Sequence, residues 1–377
     1  MNEDSQTKGE LTDVQRTPLH ALHQELGGKL VPFAGFEMPV QYPSGILKEH
    51  LHTRAAAGLF DVSHMGQAEL RGDDAAALIE TLVPGDICGL ASGTTRYTQL
   101  TNDRGGILDD LMVTNGGDRL LLVVNAACKA EDFAHIQAAL PSGVELVELP
   151  DRALIAIQGP AAALLMEMVG EGELSKMPFM SYTECVVSDV DCRVWRSGYT
   201  GEDGYEISCT SSDAEALARR LLALDGVAPI GLGARDSLRL EAGLCLYGHD
   251  IDQATTPVEA GLLWSIGKRR RTEGGFPGAA IVQQQIADGV TRRRIGIKPE
   301  GRAPMREHTK LFDSEGTPIG EVTSGGFGPS VGGPVAMGYV ETRCAKADTP
   351  ITAEVRSKMH DATVVRLPFV EQHYYRG

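Results

Sequence analysis

The order of secondary structure predicted for residues 66–149 constrains the fold of this chain more than any single motif does. An alternating strand, GQAELRG, precedes a helical segment, DDAAALIETLV, that begins with acidic residues. Two strands, TTRYTQLTN and GILDDLMVTN, flank a turn at 102–106. The apolar strand RLLLVVNAA, the helix KAEDFAHIQAAL and the strand VELVEL follow. The predicted order is β-α-β-β-β-α-β, which is typical of a ferredoxin-like α+β unit.

A similar order begins again at Arg152. The strand RALIAIQG leads into the helix PAAALLMEMVG, with Pro160 in its first turn. Strands at 185–198 and 203–210 come next, and the helix DAEALARRLLAL ends the stretch. Because sequence identity between the two stretches is low, the prediction of two ferredoxin-like units depends on the matching order of elements.

The rest of the chain divides into helical flanks and a strand-rich end. Three further helices are predicted at 17–28, 46–57 and 234–248, and the last places Leu238, Ala242 and Cys245 on one face. The final 80 or so residues are short strands between Gly, Pro and Asp turns. That pattern predicts a small β-barrel or sandwich, joined to the rest by a basic, Gly-rich link near 272–290.

Composition excludes several classes of function and suggests a compartment. With 35 Lys+Arg and 51 Asp+Glu, the net charge of −16 argues against nucleic acid as a partner. No apolar run approaches the ~18 residues of a membrane span. Residues 1–16 include acidic side chains and lack an apolar core, so we expect a disordered lead-in to a cytoplasmic protein rather than a targeting signal.

Metal and hydrolase motifs are not evident in the sequence. The seven Cys form no CxxC pair, and the ten His form no HExxH, so we expect no metal site. No GxSxG elbow is present. The glycine-rich run at 323–333 lacks a GK[ST] ending and a following helix, which favours a β-turn over a phosphate loop.

Polar residues at a few positions are candidates for a site, and each also has an ordinary structural interpretation. Asp109 and Asp110 are neighbours on a strand, so only one can face a given cavity, and either could simply face solvent near a turn. Asn125 ends an apolar strand, where it could serve a site or cap the next helix. The segment GYTGEDGYE, 198–206, could present Tyr199 and Glu206 to a ligand or form a hairpin turn.

Two features of the arginines also leave alternatives open. Arg235 and Arg239 form a like-charge i, i+4 pair, which suggests that a carboxylate or a ligand uses them; Asp236 is the nearest intramolecular partner. The triplets Arg269–Arg271 and Arg292–Arg294 are either solvated runs or a landing patch for an acidic partner or a polyanionic ligand tail.

Several long motifs resemble the glycine cleavage system T-protein family of aminomethyltransferases. They are FDVSHM, GGILDDLMV, VVNA, IQGP, GYTGEDGYE, GARDSLRLEAGLCLYG and the terminal LPFV with Tyr374 and Tyr375, in the family's order from about residue 17 to 376. The resemblance implies a three-domain cloverleaf around a central folate site, with two ferredoxin-like units and a C-terminal antiparallel β-barrel or jelly-roll-like domain. The implied boundaries are 17–62 plus 145–275, 63–144, and 290–377.

The resemblance also implies a reaction and its partners. The aminomethyl carbon carried by the dihydrolipoyl arm of H-protein would pass to tetrahydrofolate, a co-substrate, giving 5,10-methylenetetrahydrofolate and ammonia without a metal. Asp109 matches the family's catalytic aspartate, and Glu206, rather than Glu202, matches the carboxylate that binds the pterin. Further folate-binding positions are matched by Arg235, Tyr199, Asn125 and Tyr374, with Met65 and Trp264 as apolar walls.

Two relatives with other functions resemble this sequence less. A non-catalytic folate-binding family has a KGCYxGQE-type loop with a functional Cys, whereas this chain has GYTGEDGYE. A folate-dependent demethylase of small methylated compounds shares pocket residues, but the match along ARDSLRLEAGLCLYG and the C-terminus favours the aminomethyltransferase.

Overall fold

The structure is a computed structural model that describes residues 14–377. Strands before residue 230 alternate with helices in an α+β arrangement. These strands are β1 (Lys29–Phe33), β2 (Phe36–Gln41), β3 (Ala57–Asp61), β4 (Gly66–Arg71), β5 (Thr94–Thr101), β6 (Ile107–Asn115), β7 (Arg119–Val124), β8 (Glu145–Glu148), β9 (Arg152–Gln158), β10 (Ser181–Val187), β11 (Val190–Arg196), β12 (Gly204–Thr210) and β13 (Val227–Pro229).

The α-helices include most of the segments predicted from periodicity. They are α1 (His20–Glu25), α2 (Ile46–Ala55), α3 (Ala75–Glu80), α4 (Lys129–Ala138), α5 (Ala162–Val169), α6 (Ala214–Leu222), α7 (Leu232–Glu241), α8 (Lys268–Glu273) and α9 (Ala279–Asp288). Two of these correct the sequence analysis. The region 272–290 contains α9 rather than only a link, and α7 ends at Glu241, so Cys245 lies beyond the helix.

The two predicted repeats form the two halves of one sheet with the strand order β13-β3-β9-β12-β11-β10-β5-β6-β7-β4-β8. Reading outward from the centre, β10-β11-β12-β9 in one half corresponds to β5-β6-β7-β4 in the other. The halves meet where Ser181 of β10 pairs with Thr94 of β5. The edge strand β8 pairs with β4, so it lies in the same half of the sheet as β4–β7.

The two faces of this sheet have different neighbours. On one face, side chains from β6 and β7, including Leu111 and Leu122, pack with α3 and α4. On the other face, alternate residues such as Leu121 and Trp195 pack with Leu238 of α7. We call this second face the α7 face. Strand alternation therefore decides which polar residues of β5, β6, β7 and β12 share a compartment.

The C-terminal region is a closed antiparallel barrel, as its short strands predicted. Its strand order is β14-β17-β16-β15-β18-β19. The glycine-rich run continues β16 as far as Gly328, so the predicted turn is confined to residues 329–332, before β17. The strands are β14 (Arg292–Pro299), β15 (Lys310–Phe312), β16 (Pro318–Gly328), β17 (Gly333–Glu341), β18 (Pro350–Val355) and β19 (Lys358–Val365).

The start of the chain departs from the expectation of disorder over residues 1–16. Residues 1–13 lie outside the described part, but Gln15 accepts a hydrogen bond from the Glu37 N–H at 2.9 Å and donates to the Gly35 carbonyl at 2.9 Å. The fold therefore includes residue 15.

Within residues 14–377, no helix is long and apolar enough to cross a membrane.

A buried carboxylate joins the barrel to α7. Glu241 accepts hydrogen bonds from the Ser330 N–H at 2.7 Å and, from α2, has His50 Nε2 at 3.0 Å and Arg54 at 3.3 Å. Its side chain is fully buried. Burial opposes ionisation, but the contacts with His50 and Ser330 outweigh it and lower the pKa of Glu241 to about 2.

Glu241→Gln is expected to destabilise the protein by about 3 kcal/mol, because it leaves buried donors without their charged acceptor. The depressed pKa means that the stabilisation is present at neutral pH and is lost as pH falls through about 2. Thermal unfolding at neutral pH measures the effect. The matched control is Glu321→Gln, which removes a half-exposed ion pair with Lys310. It should cost less than about 1 kcal/mol, and equal losses in the two variants would refute the role of Glu241.

Candidate functional site

The two adjacent aspartates of β6 face opposite sides of the sheet. Asp109 is fully buried on the side of α3 and α4, near Cys128 and Asp132. Asp110 lies on the α7 face, where the Tyr97 hydroxyl donates to Asp110 Oδ2 at 2.8 Å. The family resemblance gives the catalytic role to Asp109. The structure places Asp110, and not Asp109, on the face that holds the other candidate residues.

One amide side chain connects the two carboxylates. Asn125, at the end of β7, donates from Nδ2 to Asp110 Oδ1 at 2.6 Å and to Asp109 Oδ1 at 2.9 Å. Its backbone N–H also donates to Asp109 Oδ2, at 3.2 Å. Asn125 therefore holds both aspartates instead of acting only as a helix cap.

The pKa of Asp110 is higher in the folded protein than that of an aspartate in water. Burial is the largest cause, and the negative charge of Asp109 is the second. Hydrogen bonds from Tyr97 and Asn125 oppose both effects, and the balance raises the pKa of Asp110 to about 7. A carboxyl group with such a pKa can accept or release a proton near neutral pH.

A second carboxylate on the same face has an oxygen without a protein donor. Glu206, on β12, accepts a hydrogen bond from the Ser197 hydroxyl at 2.6 Å through Oε2. Among the described residues, none donates to its other oxygen. The alternative, Glu202, is used within the protein: it is buried, pairs with Arg54 at 2.9 Å and contacts His373 at 2.9 Å. The structure therefore favours Glu206 over Glu202 as a ligand-binding group.

Arg235 is the cation of this site. Its guanidinium lies 4.8 Å from the centre of the Tyr199 ring, and no carboxylate in residues 14–377 lies within 4.0 Å of it. Burial lowers its pKa, while Tyr199 and Glu206 act in the opposite direction. Arg239, by contrast, pairs with Asp236 at 2.8 Å and Asp250 at 2.7 Å. The like-charge pair thus separates into one structural arginine and one that is free for a ligand.

These residues define one group, which we call the central cluster. Tyr199 lies beside the Arg235 guanidinium, 4.8 Å from its ring centre. Burial raises the pKa of Tyr199, and the negative charge of Asp110 acts in the same direction. Trp264 is 63% exposed and stacks on Tyr97 at 5.3 Å, at the solvent side. The cluster consists of Tyr97, Asp110, Asn125, Tyr199, Glu206 and Arg235.

Two predicted site residues lie at the margin of this arrangement. Tyr374 stacks on Phe179 at 4.0 Å, in a tail that packs on the loop containing Glu202. Met65 packs beside the core of the α7 face and also lines a separate cleft of about 580 Å³. Neither touches Asp110, so their predicted roles as folate contacts stay predictions.

Sequence reasoning missed Tyr97 and Gln99. Gln99 pairs with Asp110 across β5 and β6 and is fully buried. Its Oε1 accepts a hydrogen bond from the Ser265 hydroxyl at 3.0 Å, but its Nε2 has no acceptor among the described residues. The register of the hairpin around the turn at 102–106 could have identified both residues as neighbours of Asp110.

The basic triplets are largely occupied within the protein. Arg269 pairs with Glu80 at 2.6 Å, and Arg270 is buried against backbone carbonyls near Glu80. Arg292 pairs with Glu259 at 3.1 Å, and Arg294 donates to the Ala260 carbonyl at 2.8 Å. Most of the six guanidiniums therefore have partners within the protein, and their interpretation as a landing patch stays a prediction. Separately, residues 14–377 contain no group of three or more His, Cys, Asp or Glu that could hold a metal ion.

Comparison with known proteins adds to this geometry. Residues 19–270 match the GCVT N-terminal domain family, and residues 292–371 match the glycine cleavage T-protein C-terminal barrel domain family. The chain is 46% identical to a mitochondrial aminomethyltransferase of Dictyostelium discoideum over 96% of this chain and 94% of the relative. It is 48% identical to the mitochondrial aminomethyltransferase of Gallus gallus, with the same coverage.

A solved structure is similar over nearly the whole chain. It is the glycine cleavage system aminomethyltransferase T from Bartonella henselae, which superposes with a TM-score of 0.91 at 45% identity. The alignment covers 96% of this chain and 99% of that protein.

Proposed function

This chain belongs to the glycine cleavage T-protein family, and from that premise we propose that it is an aminomethyltransferase whose central cluster binds tetrahydrofolate. The donor is the aminomethyl group on the lipoyl arm of an H-protein, and the products are 5,10-methylenetetrahydrofolate and ammonia. The demethylase and the non-catalytic folate-binding protein considered from the sequence are not favoured by these relatives.

The proposal rests on two charged side chains of the central cluster whose hydrogen-bonding capacity is not fully used within the described part of the protein. Glu206 has a free carboxylate oxygen, and Arg235 has no ion-pair partner in the described part of the chain. Both residues are only partly buried, so a ligand can reach these charged groups and form charge-assisted hydrogen bonds with them. A pterin presents adjacent N–H donors that one carboxylate can accept, and its carbonyl is an acceptor for a guanidinium or for the unpartnered Gln99 Nε2.

The reaction requires a proton acceptor beside the attacking amine. The donor carbon is at the oxidation level of formaldehyde, and positive charge develops on it and on the folate nitrogens as the bond forms. A fixed carboxylate stabilises that charge and can take the proton that the attacking nitrogen releases. We assign this role to Asp110, oriented by Tyr97 and Asn125 at 2.8 and 2.6 Å. We propose that Asp109 acts only as a negatively charged neighbour of Asp110, whose pKa it raises.

Other parts of the proposal depend on family membership alone. The partners are a lipoylated H-protein and tetrahydrofolate, and Tyr374, Met65 and Trp264 are proposed as outer contacts of the folate. The division into 17–62 plus 145–275, 63–144 and 290–377 also stays a proposal. A cytoplasmic location also stays a proposal; the relatives from Dictyostelium discoideum and Gallus gallus are named as mitochondrial.

A reconstituted assay tests the function. Purified protein is mixed with tetrahydrofolate and H-protein carrying the aminomethyl group, and methylenetetrahydrofolate and ammonia are measured. We expect equal amounts of the two products, formed only when aminomethylated H-protein is present. H-protein without the aminomethyl group, and free methylamines such as dimethylglycine, are the controls. Formation of 5-methyltetrahydrofolate and the demethylated amine from a free methylamine, in the absence of H-protein, would favour the demethylase instead.

The pH dependence of turnover is expected to report Asp110. Because its pKa is raised to about 7, the carboxylate is mostly protonated below that pH and cannot accept a proton. We therefore expect kcat to rise with pH, with a midpoint near 7, and to level off above it. Measurement across about pH 5.5 to 8.5 at saturating substrates checks this. A flat profile over that range would contradict a proton-accepting role.

A further inference from the structure

The motif IQGP, residues 157–160, has no part in the proposed chemistry, but it lies beside the carboxylate assigned to the pterin. Gln158 is the last residue of β9 and pairs with Gly204 of β12. Its side chain is buried on the α7 face, because it has the same phase along β9 as Leu154. Glu206, two residues after Gly204, is on that face too. The site therefore has a buried amide next to its binding carboxylate.

Both ends of the Gln158 amide are bonded to the segment that contains Tyr199. Nε2 donates to the Ser197 carbonyl at 2.9 Å, and Oε1 accepts a hydrogen bond from the Thr200 hydroxyl at 3.0 Å. These two bonds fix the orientation of the amide, because a carbonyl oxygen can only accept. Ser197 and Thr200 are both buried, so water does not compete for the bonds. Gln158 therefore holds the chain on both sides of Tyr199.

Ser197 extends this constraint to Glu206. Its carbonyl is held by Gln158, and its hydroxyl donates to Glu206 Oε2 at 2.6 Å. Because both groups belong to one residue, fixing the carbonyl also fixes the position from which the hydroxyl reaches the carboxylate. That bond occupies one oxygen of Glu206 and so determines where the other oxygen points. The contacts thus connect Gln158 to the orientation of Glu206 through a single intermediate residue.

Two glycines leave the space that the Gln158 amide occupies. A Cβ added to Gly198 would overlap Gln158 Oε1, and a Cβ added to Gly204 would overlap its Nε2. The amide can approach this backbone closely only because both positions are Gly. The main chain of the motif adds a further bond, since the Gly159 N–H donates to the Asp203 carbonyl at 2.8 Å. IQGP therefore holds the loop that begins at Gly198 from both of its ends.

We propose that Gln158 is a positioning residue for the binding of tetrahydrofolate. Through Ser197 it fixes the direction in which Glu206 presents its free oxygen. Through Thr200 it keeps the ring of Tyr199 in the central cluster. Gln158 acts only through these two residues and does not contact the ligand. The inference rests on the proposed function, because it requires that Glu206 binds the folate.

Gln158→Met tests the role, because it keeps the length of the side chain and removes both hydrogen bonds. We expect the dissociation constant for tetrahydrofolate, measured by equilibrium titration without H-protein, to rise about tenfold, the worth of one hydrogen bond to a charged group. In turnover with aminomethylated H-protein, kcat at saturating tetrahydrofolate should change less than about threefold, because Asp110 and its donors are untouched.

Gln67→Met is the matched control. Gln67 is also buried, on β4 of the same sheet and outside the central cluster. It donates to the Arg152 carbonyl at 3.3 Å and accepts from the Ser208 hydroxyl at 2.6 Å. Both substitutions leave buried polar groups unpaired, so both should lower the melting temperature. Only Gln158→Met should weaken tetrahydrofolate binding; equal affinities in the two variants would show a purely structural role for Gln158 and overturn the proposal.

A double substitution tests the path through Ser197. Ser197→Ala alone should also raise the dissociation constant for tetrahydrofolate about tenfold. If Gln158 acts through Ser197, the variant with both substitutions should bind no more than about threefold more weakly than either single variant. Independent effects would multiply to about 100-fold and would overturn the proposed path.

Thr200 provides a second test that applies even if Gln158→Met does not fold. Thr200→Val removes the hydroxyl that Gln158 accepts, whereas Thr200→Ser keeps it. We expect the dissociation constant for tetrahydrofolate to rise about fivefold in Thr200→Val and to stay within about twofold of the wild type in Thr200→Ser. Equal constants in these two variants would overturn the inference.

The measurements separate this inference from the proposed function. A protein whose tetrahydrofolate affinity depends on Gln158 but which transfers no aminomethyl group would remove the proposed function and leave the positioning role intact. A protein that loses affinity in Glu206→Gln but keeps it in Gln158→Met would remove the positioning role alone.

Discussion

Asp110→Asn is expected to lower kcat by about 10³-fold, the largest effect of any substitution considered, because general-base and charge-stabilising roles at this position are worth about 10²–10⁴. The amide has the size of the carboxyl group but accepts no proton and carries no negative charge. Tyr97 and Asn125 would still contact it. We therefore expect the dissociation constant for tetrahydrofolate to change less than about fivefold. The measurement is steady-state turnover with aminomethylated H-protein.

Stability provides the control for this substitution. Asp110 has a raised pKa in the folded protein, so its stabilising contribution is complete below the unfolded pKa of about 4 and is lost as pH rises through about 7. At about pH 8 the ionised carboxylate of Asp110 destabilises the folded protein, and Asp110→Asn removes this destabilisation. The melting temperature of the variant should be no lower than that of the wild type. Turnover within tenfold of the wild type, in a variant that melts normally, would eliminate Asp110 as the proton acceptor.

The second large effect is expected at Glu206. Glu206→Gln should raise the dissociation constant for tetrahydrofolate by about 100-fold, because the amide loses the charge and turns an N–H toward the donors of the pterin. A loss of two charge-assisted hydrogen bonds accounts for a change of that size. Equilibrium binding of tetrahydrofolate, followed by fluorescence or calorimetry, measures it in the absence of H-protein.

Glu202→Gln is the matched control, since it makes the same change four residues away. Glu202 pairs with Arg54 and His373 in the interior, so its substitution should lower the melting temperature. Its effect on tetrahydrofolate affinity should remain below about fivefold. The opposite pattern, with affinity lost at Glu202 and stability lost at Glu206, would reverse the assignment of the two glutamates.

The repeated strand order could be predicted from the sequence because the signals are local. Alternation, acidic helix starts and turn residues all act within a few positions, and the observed sheet has the expected two halves. The end of α7 was placed too late, because the apolar spacing continues through Cys245. The structure ends the helix before Gly243, which has a φ of +70° and therefore leaves the helical conformation.

The choice between Asp109 and Asp110 could not be made from sequence for a physical reason. β6 is covered on both faces, and its apolar residues, such as Leu111 and Met112, occupy both phases of the alternation. The hydrophobic pattern therefore contains no information about which aspartate faces α7. That phase is set by packing against α3, α4 and α7, which are distant in sequence.

The contacts of the two arginine triplets could not be predicted from the sequence either. A run of arginines looks solvated or available when only its neighbours in sequence are considered. In the structure the partners come from far along the chain: Arg269 reaches Glu80 over 189 positions. Long-range ion pairs leave no local pattern, so these partners of the arginines are visible only in three dimensions.

A single-turnover comparison of Asp109→Asn and Asp110→Asn tests the central assignment most directly. The two substitutions are chemically identical, adjacent in sequence and on opposite faces of β6. With enzyme in excess over aminomethylated H-protein, we expect Asp110→Asn to slow the formation of methylenetetrahydrofolate by about 10³-fold and Asp109→Asn to slow it by less than about tenfold. A larger loss at Asp109 than at Asp110 would contradict the account.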